Sequence, residues 1–126
     1  MTKKILIAED SPTMRSLIAS TIAVLGDFVI VEAANGFEAL RILPREKVDL
    51  VITDINMPDI NGLELVSFIR NNPHYQNTPL FIISTEGSER DREKGLSLGA
   101  DAYLVKPFDP TQLQELIERF LGREER

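Results

Sequence analysis

The residues of this chain best suited to chemistry each follow directly after a short apolar segment. They are two adjacent acids, a third acid, a hydroxyl and an amine: Glu9, Asp10, Asp54, Ser84 and Lys106. Carboxylates placed together repel one another unless a hard divalent cation such as Mg²⁺ lies between them. An amine and a hydroxyl can each bind an oxygen of a phosphoryl group. These residue types therefore favour a site for a metal-bound phosphoryl group.

Such a site requires the apolar segments to be neighbouring strands. The segments are rich in Val and Ile, as are strands that are buried on both faces of a parallel sheet. In an open parallel sheet the carboxyl ends of the strands meet at one edge, where ligands bind. The sequence predicts strands over residues 5–8, 28–31, 48–52, 80–83 and 103–105.

Helices are predicted between the strands from residues that cap helices and from apolar stripes. The predicted starts are Ser11, Asn35, Asn61, Ser88 and Asp109. Asn61 and Glu64 are spaced as a capping box, and Gly26 and Gly122 are predicted to end the first and last helix. The predicted apolar stripes include Leu17, Phe37, Phe68 and Phe120.

The fourth predicted helix, over residues 88–98, differs from the others in composition. Its only large apolar residues are Leu96 and Leu98, so it is expected to pack lightly against the sheet. Elements with few buried contacts have low local stability, and moving parts of proteins are usually drawn from them. This helix is the element predicted to shift.

Five strands that alternate with five helices predict a single α/β domain over residues 1–126. The fold class is a doubly wound, flavodoxin-like three-layer sandwich with parallel strands in the order 2-1-3-4-5. Residues 123–126 are expected to fray.

Composition excludes several classes of protein. The formal net charge of −6 argues against nucleic-acid binding, which needs clustered Lys and Arg. With no Cys and one His, His74, the chain has no residues for a typical zinc site. The first apolar run is too short for a signal peptide or a membrane span, so we expect a cytoplasmic protein without membrane insertion.

Four fragments, each at the end of a predicted strand, together resemble the receiver domain of two-component response regulators. They are Ala8–Asp10, Thr53–Pro58, Ile83–Thr85 and Val105–Phe108, and the resemblance covers essentially the whole chain. Ser11–Arg15 is similar to the single-domain, chemotaxis (CheY-like) members. The chain departs from the common family pattern in having Glu9 in place of Asp and Ser84 in place of Thr.

The resemblance implies a phosphorylation-activated switch that is not an enzyme acting on other molecules but catalyses its own phosphorylation and dephosphorylation. Asp54 would take a phosphoryl group from the phosphohistidine of a sensor histidine kinase. Mg²⁺ would be held by Asp10, Asp54 and the backbone carbonyl of Asn56, with Glu9 reached through water. A downstream protein of unknown identity would read the signal, and the resemblance allows a phosphatase as a further partner.

The resemblance also assigns roles around the phosphoryl group. Ser84 and Lys106 would bind its oxygens, and the movement of Ser84 would open space for Tyr103. Asn56 and Glu86 would tune the phosphoryl lifetime, and Lys106–Pro107 would be a cis peptide bond. The expected partner surface lies on the fourth helix, fifth strand and fifth helix, with Lys94, Tyr103, Lys106 and Phe108.

Two other classes of function remain as alternatives. A phosphohydrolase with an Asp nucleophile would need a general acid two residues after Asp54, where Asn56 stands. A flavodoxin-like flavin-binding protein would need a phosphate loop after the first strand, where Glu9 and Asp10 would repel a phosphate. A calcium loop at residues 54–59 is rejected because its required Gly is missing.

Overall fold

Strands and helices alternate five times in the computed structural model, which describes residues 2–122. The strands are β1 (Lys4–Ala8), β2 (Val29–Ala33), β3 (Leu50–Thr53), β4 (Leu80–Ser84) and β5 (Ala102–Val105). The helices are α1 (Pro12–Ala23), α2 (Gly36–Ile42), α3 (Gly62–Arg70), α4 (Glu89–Ser97) and α5 (Pro110–Leu121). The expected fraying of residues 123–126 lies outside the described residues.

All strand pairs are parallel, and the sheet has the predicted order β2-β1-β3-β4-β5. Side chains of α2 and α3 join one buried core with one face of the sheet, and those of α1 and α5 join a second core with the other face. The predicted three-layer α/β fold is therefore confirmed. Within residues 2–122, no helix has the length and apolar character needed to cross a membrane.

The predicted helix starts are confirmed by the capping bonds. The side chains of Ser11, Asn35, Asn61, Ser88 and Asp109 each accept a hydrogen bond from a backbone N–H in the first turn of their helix. Asn61 and Glu64 form the complete capping box. These bonds satisfy N–H groups that have no partner inside the helix.

The strand boundaries of β2 and β3 differ from the predicted ones. β3 begins at Leu50 rather than residue 48, because Asp49 turns its carboxylate to the backbone N–H of Lys4, at 2.8 Å. β2 runs to Ala33, since its register with β1 pairs Ala8 with Ala33. Apolar runs in the sequence do not reveal such pairing.

The apolar stripes predicted for the helices include side chains that the structure exposes. Four of their members are exposed, with Leu17 at 48%, Phe37 at 54%, Phe68 at 44% and Phe120 at 37%. A helix that lies on one face of a sheet buries only part of its circumference. In α1 the buried face instead includes Thr21, whose hydroxyl donates to the carbonyl of Leu17 at 2.8 Å.

Light packing of α4 is confirmed, since Gly95 is its one buried residue. A methyl group at Gly95 would lie 2.8 Å from Ile82 Cδ1 and 3.0 Å from Tyr103 Cδ2, so the helix approaches the sheet closely at this point. Beyond the end of the helix, Arg70 donates to the carbonyl of Gly99 at 2.8 Å. The chain after α4 is thus fixed to α3, while the start of α4 follows the loop at the carboxyl edge of the sheet.

Candidate functional site

The register of the sheet brings the predicted site residues to one edge. Ala8 pairs with Thr53, so the residues that follow them, Glu9 and Asp54, lie side by side. Ser84 pairs with Val105, which places Lys106 beside the end of β4. The order of the strands therefore assembles the five residues that the sequence separates by up to 97 positions.

Three carboxylates form the centre of the site. Glu9, Asp10 and Asp54 each offer an oxygen, and these oxygens lie within 4.8 Å of one another. Glu9 and Asp54 are buried, whereas Asp10 is exposed. A cluster of carboxylate oxygens open to solvent on one side is the donor set that Mg²⁺ prefers, because this ion keeps several of its waters. The residues present therefore fit a bound Mg²⁺.

Lys106 neutralises part of this charge from the buried side. Its Nζ lies 2.6 Å from Glu9 Oε1 and 3.4 Å from Asp54 Oδ1. The other oxygen of Glu9 accepts a hydrogen bond from the N–H of Ser11 at 3.0 Å. Both carboxylate oxygens of Glu9 are thus bound within the protein, and Lys106 is held closer to Glu9 than to Asp54.

The two buried carboxyl groups hold protons more tightly than usual. Burial raises the pKa of Asp54, and the nearby charge of Lys106 and the N–H of Ile55 act in the opposite direction. Burial also raises the pKa of Glu9, although the hydrogen bonds from Lys106 and Ser11 lower it. The ionised forms are therefore costly here, and a divalent cation would stabilise them.

The backbone around Asp54 fixes the orientation of its side chain. Its N–H donates to the carbonyl of Ala8 at 3.0 Å, and its Oδ1 accepts from the N–H of Ile55 at 2.8 Å. The chain then folds back, so that the N–H of Gly62 donates to the carbonyl of Ile55 at 2.8 Å. A Cβ atom at Gly62 would lie 1.9 Å from the carbonyl oxygen of Asp54.

The structural role of Gly62 was not predicted from the sequence. The available signal was a glycine at the first position of α3, where most residues would favour the helix more. The glycine is needed because the start of α3 packs directly on the backbone of Asp54.

The backbone of Glu86 is bound to both Ser84 and Tyr103. The N–H of Glu86 donates to the buried Oγ of Ser84 at 3.0 Å, and the carbonyl of Glu86 accepts from the hydroxyl of Tyr103. The side chain of Glu86 accepts from Asn56 Nδ2 at 3.2 Å, across the mouth of the site. Asn56 and Glu86 thus lie together at this mouth, and their predicted tuning role remains a prediction.

Two residues of the expected partner surface are buried in this conformation. Tyr103 is 7% exposed and Phe108 9% exposed, so neither side chain is available to a partner here. The hydroxyl of Tyr103 is bound to the carbonyl of Glu86, and burial raises the pKa of its phenol. Lys94 is exposed and Lys106 is partly buried in the site. The Lys106–Pro107 bond is cis, as expected.

Comparisons with known proteins give one family. The sequence model of the response regulator receiver domain matches residues 5–118. The "Chemotaxis protein CheY homolog" of Campylobacter jejuni is 42% identical over 120 residues, which cover 94% of this chain and 92% of that protein.

Solved structures agree with the sequence comparison. The chemotaxis response regulator CheY4 of Vibrio cholerae superposes with a TM-score of 0.86 at 34% identity, covering 96% of this chain and 100% of that one. The receiver domain of sensor histidine kinase PA1611 of Pseudomonas aeruginosa gives a TM-score of 0.86 at 28% identity, covering 97% and 99%. That structure is described with a magnesium ion coordinated in its active site cleft.

We expect Asp54→Asn to stabilise the protein at neutral pH in the absence of divalent metal. Because folding raises the pKa of Asp54, the wild type loses stability as the pH rises from the ordinary pKa of Asp to the raised one, and the loss is complete above the raised pKa. Asn removes the charge and keeps the oxygen that accepts from Ile55. Urea melts should show the gain of the variant growing as the pH rises from about 4, the ordinary pKa of Asp, and then levelling off. A gain that is absent at neutral pH would contradict this account of the site.

We expect Gly62→Ala to destabilise the protein by about 3 kcal/mol, at the upper end of overpacking costs, because its methyl collides with the Asp54 carbonyl. The matched control is Gly87→Ala, whose methyl would come nearest the side chain of Val105, at 3.2 Å. Chemical denaturation of both variants measures the difference. Equal stability of the two variants would mean that the packing of α3 on Asp54 is not constrained.

Proposed function

The chain belongs to the family of response regulator receiver domains, and we propose that Asp54 is the residue that is phosphorylated. Membership makes the protein a phosphorylation-activated switch of the CheY-like type. The observation that carries the assignment to Asp54 is its buried carboxylate, which lies 3.4 Å from the amine of Lys106 and beside Glu9 and Asp10.

Asp10 and Asp54 would hold Mg²⁺ through their carboxylates, with the backbone carbonyl of Asn56 as a further ligand and Glu9 behind a water. The magnesium described in the P. aeruginosa receiver supports this assignment. When bound, the ion supplies positive charge that neutralises oxygens of the transferred phosphoryl group.

Asp54 is the nucleophile in the proposed transfer. The N–H of Ile55 fixes its carboxylate, so one of its oxygens can attack the phosphorus of a kinase phosphohistidine in line with the leaving imidazole. The new O–P bond forms as the P–N bond breaks, giving an acyl phosphate on Asp54. The protein supplies the positioning groups itself, so we also assign to it the catalysis of its own phosphorylation and dephosphorylation.

Lys106 and Ser84 change partners in the proposed switch. Lys106 leaves Glu9 for an oxygen of the phosphoryl group, which carries more charge than a carboxylate. The hydroxyl of Ser84, which accepts from the N–H of Glu86, donates a hydrogen bond to a second phosphoryl oxygen. Because the carbonyl of Glu86 is also bound to Tyr103, this rearrangement would move β5 and α4 as well. The phosphoryl group thus shifts an equilibrium between two arrangements.

The remaining assignments concern lifetime and partners. Asn56 and Glu86 lie at the mouth of the site, where they would control the access of hydrolytic water. A sensor histidine kinase is the phosphodonor that family membership implies, and a phosphatase is a further candidate partner. The downstream protein would bind α4, β5 and α5 near Lys94, in the cytoplasm. The C. jejuni relative is named a chemotaxis protein, which favours a role in chemotaxis. We assign one receiver domain to residues 1–126.

The two alternative functions are not favoured. Asn56 stands where a phosphohydrolase has its general acid, and an amide cannot donate and recover a proton as a carboxyl does. Glu9 and Asp10, the acids that follow β1, stand where a flavin-binding protein would need its phosphate-binding loop.

Incubation with acetyl phosphate and Mg²⁺ should add one labile phosphoryl group to the protein, as measured by intact mass. The adduct should be absent from Asp54→Asn and from wild type treated with a chelator, because each lacks a required part of the site. An adduct that persists in Asp54→Asn would assign the phosphorylation to another residue. No adduct in wild type would contradict the proposed transfer.

Gly95→Ala should turn the ring of Tyr103 outward while leaving phosphorylation of Asp54 unchanged. The added methyl collides with Ile82 and with the buried ring, and neither lies at the reacting carboxylates. NMR of the tyrosine rings measures solvent exposure, with Tyr75 as an internal reference. Ser97→Ala, on the exposed side of the same helix, is the control. A Tyr103 ring that stays buried in Gly95→Ala would show that α4 does not govern its position.

A further inference from the structure

Arg15 is a partly buried cation beside the site, and it has no role in the proposed phosphoryl transfer. It lies in the first turns of α1, and its side chain is 17% exposed. Its Nη1 donates to the backbone carbonyl of Glu9 at 2.7 Å, and its Nε donates to Glu32 Oε1 at 3.0 Å. Arg15 therefore joins α1 to the turn after β1 and to the edge strand β2.

The hydrogen bond from Arg15 to the Glu9 carbonyl restrains Asp10 as well as Glu9. The carbonyl of Glu9 belongs to the peptide group that carries Asp10. On the other side of Glu9, its N–H donates to the carbonyl of Ala33 at 3.0 Å. The backbone of Glu9 is thus held at both ends, by β2 directly and by Arg15. Since Asp10 is exposed, its placement depends on this backbone more than on packing.

Repulsion among the three carboxylates is the reason why a restraint on the backbone of Glu9 matters. Three carboxylates with oxygens within 4.8 Å push one another apart, and Asp10, on the solvent side, is the one most able to move away. An arginine that bonds the peptide of Asp10 keeps the carboxylates together, and its charge reduces the repulsion. The planar guanidinium of Arg15 binds the Glu9 carbonyl and Glu32 at once, which an ammonium group cannot do in the same geometry.

We propose that Arg15 is a positioning residue that preforms the divalent-cation site by holding the Glu9–Asp10 peptide, and that Glu32 orients Arg15. The inference rests on the proposed function, in which Asp10 and Asp54 bind Mg²⁺. Partners that orient metal ligands typically change metal affinity by about 10- to 100-fold when they are removed.

The test measures Mg²⁺ affinity by calorimetry on the whole chain, together with backbone amide shifts of Asp10 and Ser11. Arg15→Met should weaken Mg²⁺ binding about tenfold, the lower end for such orienting residues. Phosphorylation by acetyl phosphate should recover when Mg²⁺ is raised to saturation, and the amides of Asp10 and Ser11 should shift before any metal is added.

Three further variants separate positioning from charge and from folding. Arg15→Lys keeps the charge but should restore only part of the affinity. Glu32→Gln keeps an acceptor and should weaken binding in the same direction by a smaller factor, and it carries the test if Arg15→Met fails to fold. Arg41→Met, which removes an exposed cation from α2, is the control and should bind Mg²⁺ like wild type.

Unchanged Mg²⁺ affinity in Arg15→Met and Glu32→Gln, or an equal loss in Arg41→Met, would overturn the inference and leave the proposed function standing. Full rescue by Arg15→Lys would replace positioning with a purely electrostatic effect and would also overturn it. If wild type itself bound no Mg²⁺, the proposed function would fail first, so the two failures are distinguishable.

Discussion

Repulsion among three carboxylates at one edge of the sheet is the constraint on which the rest of the site depends. A parallel sheet brings Glu9, Asp10 and Asp54 together whatever their charge, because they directly follow two neighbouring strands. Lys106 offsets part of this charge, at 2.6 Å from Glu9 and 3.4 Å from Asp54. Burial nevertheless raises the pKa of both Glu9 and Asp54, so their ionised forms remain costly. The site therefore has the charge to bind a divalent cation, and hydrogen bonds to the backbone hold Glu9 and Asp54 in place.

The same charges explain how a small chemical change could alter a distant surface. Ser84 and Tyr103 are bound to the two sides of the Glu86 backbone, so the site and β5 share one residue. The helix that follows, α4, buries only Gly95, whereas the chain beyond it is bound to Arg70. In the proposed switch, a change at Ser84 would therefore act on the start of α4, at the opposite end from the bond to Arg70. Tyr103 is buried and its hydroxyl is bound to the carbonyl of Glu86, so in the proposed switch a movement of Ser84 and Glu86 would act directly on this ring.

The sequence predicted those features that depend on neighbouring residues or on strand ends. Ser11, Asn35 and Asn61 cap helices as predicted, because a cap involves residues two or three positions apart. The acids and Lys106 meet at one edge because parallel strands share a direction. The family resemblance supplied the cis bond before Pro107. The need for glycine at position 62 was not predicted, because it arises from the close approach of α3 to Asp54. The burial of Tyr103 and Phe108, and the exposure of Leu17, depend on which face of each element meets the sheet, and apolar patterns locate that face only to within a side chain or two.

A crystal structure with Mg²⁺ and beryllofluoride, which binds aspartate as a phosphoryl group does, tests the central claim that the resting ion pairs are redistributed on phosphorylation. We expect beryllofluoride on Asp54, with Lys106 Nζ within hydrogen-bond distance of a fluorine and withdrawn from Glu9, and with the Ser84 hydroxyl bound to a second fluorine. Lys106 remaining on Glu9 while Asp54 carries beryllofluoride would contradict it.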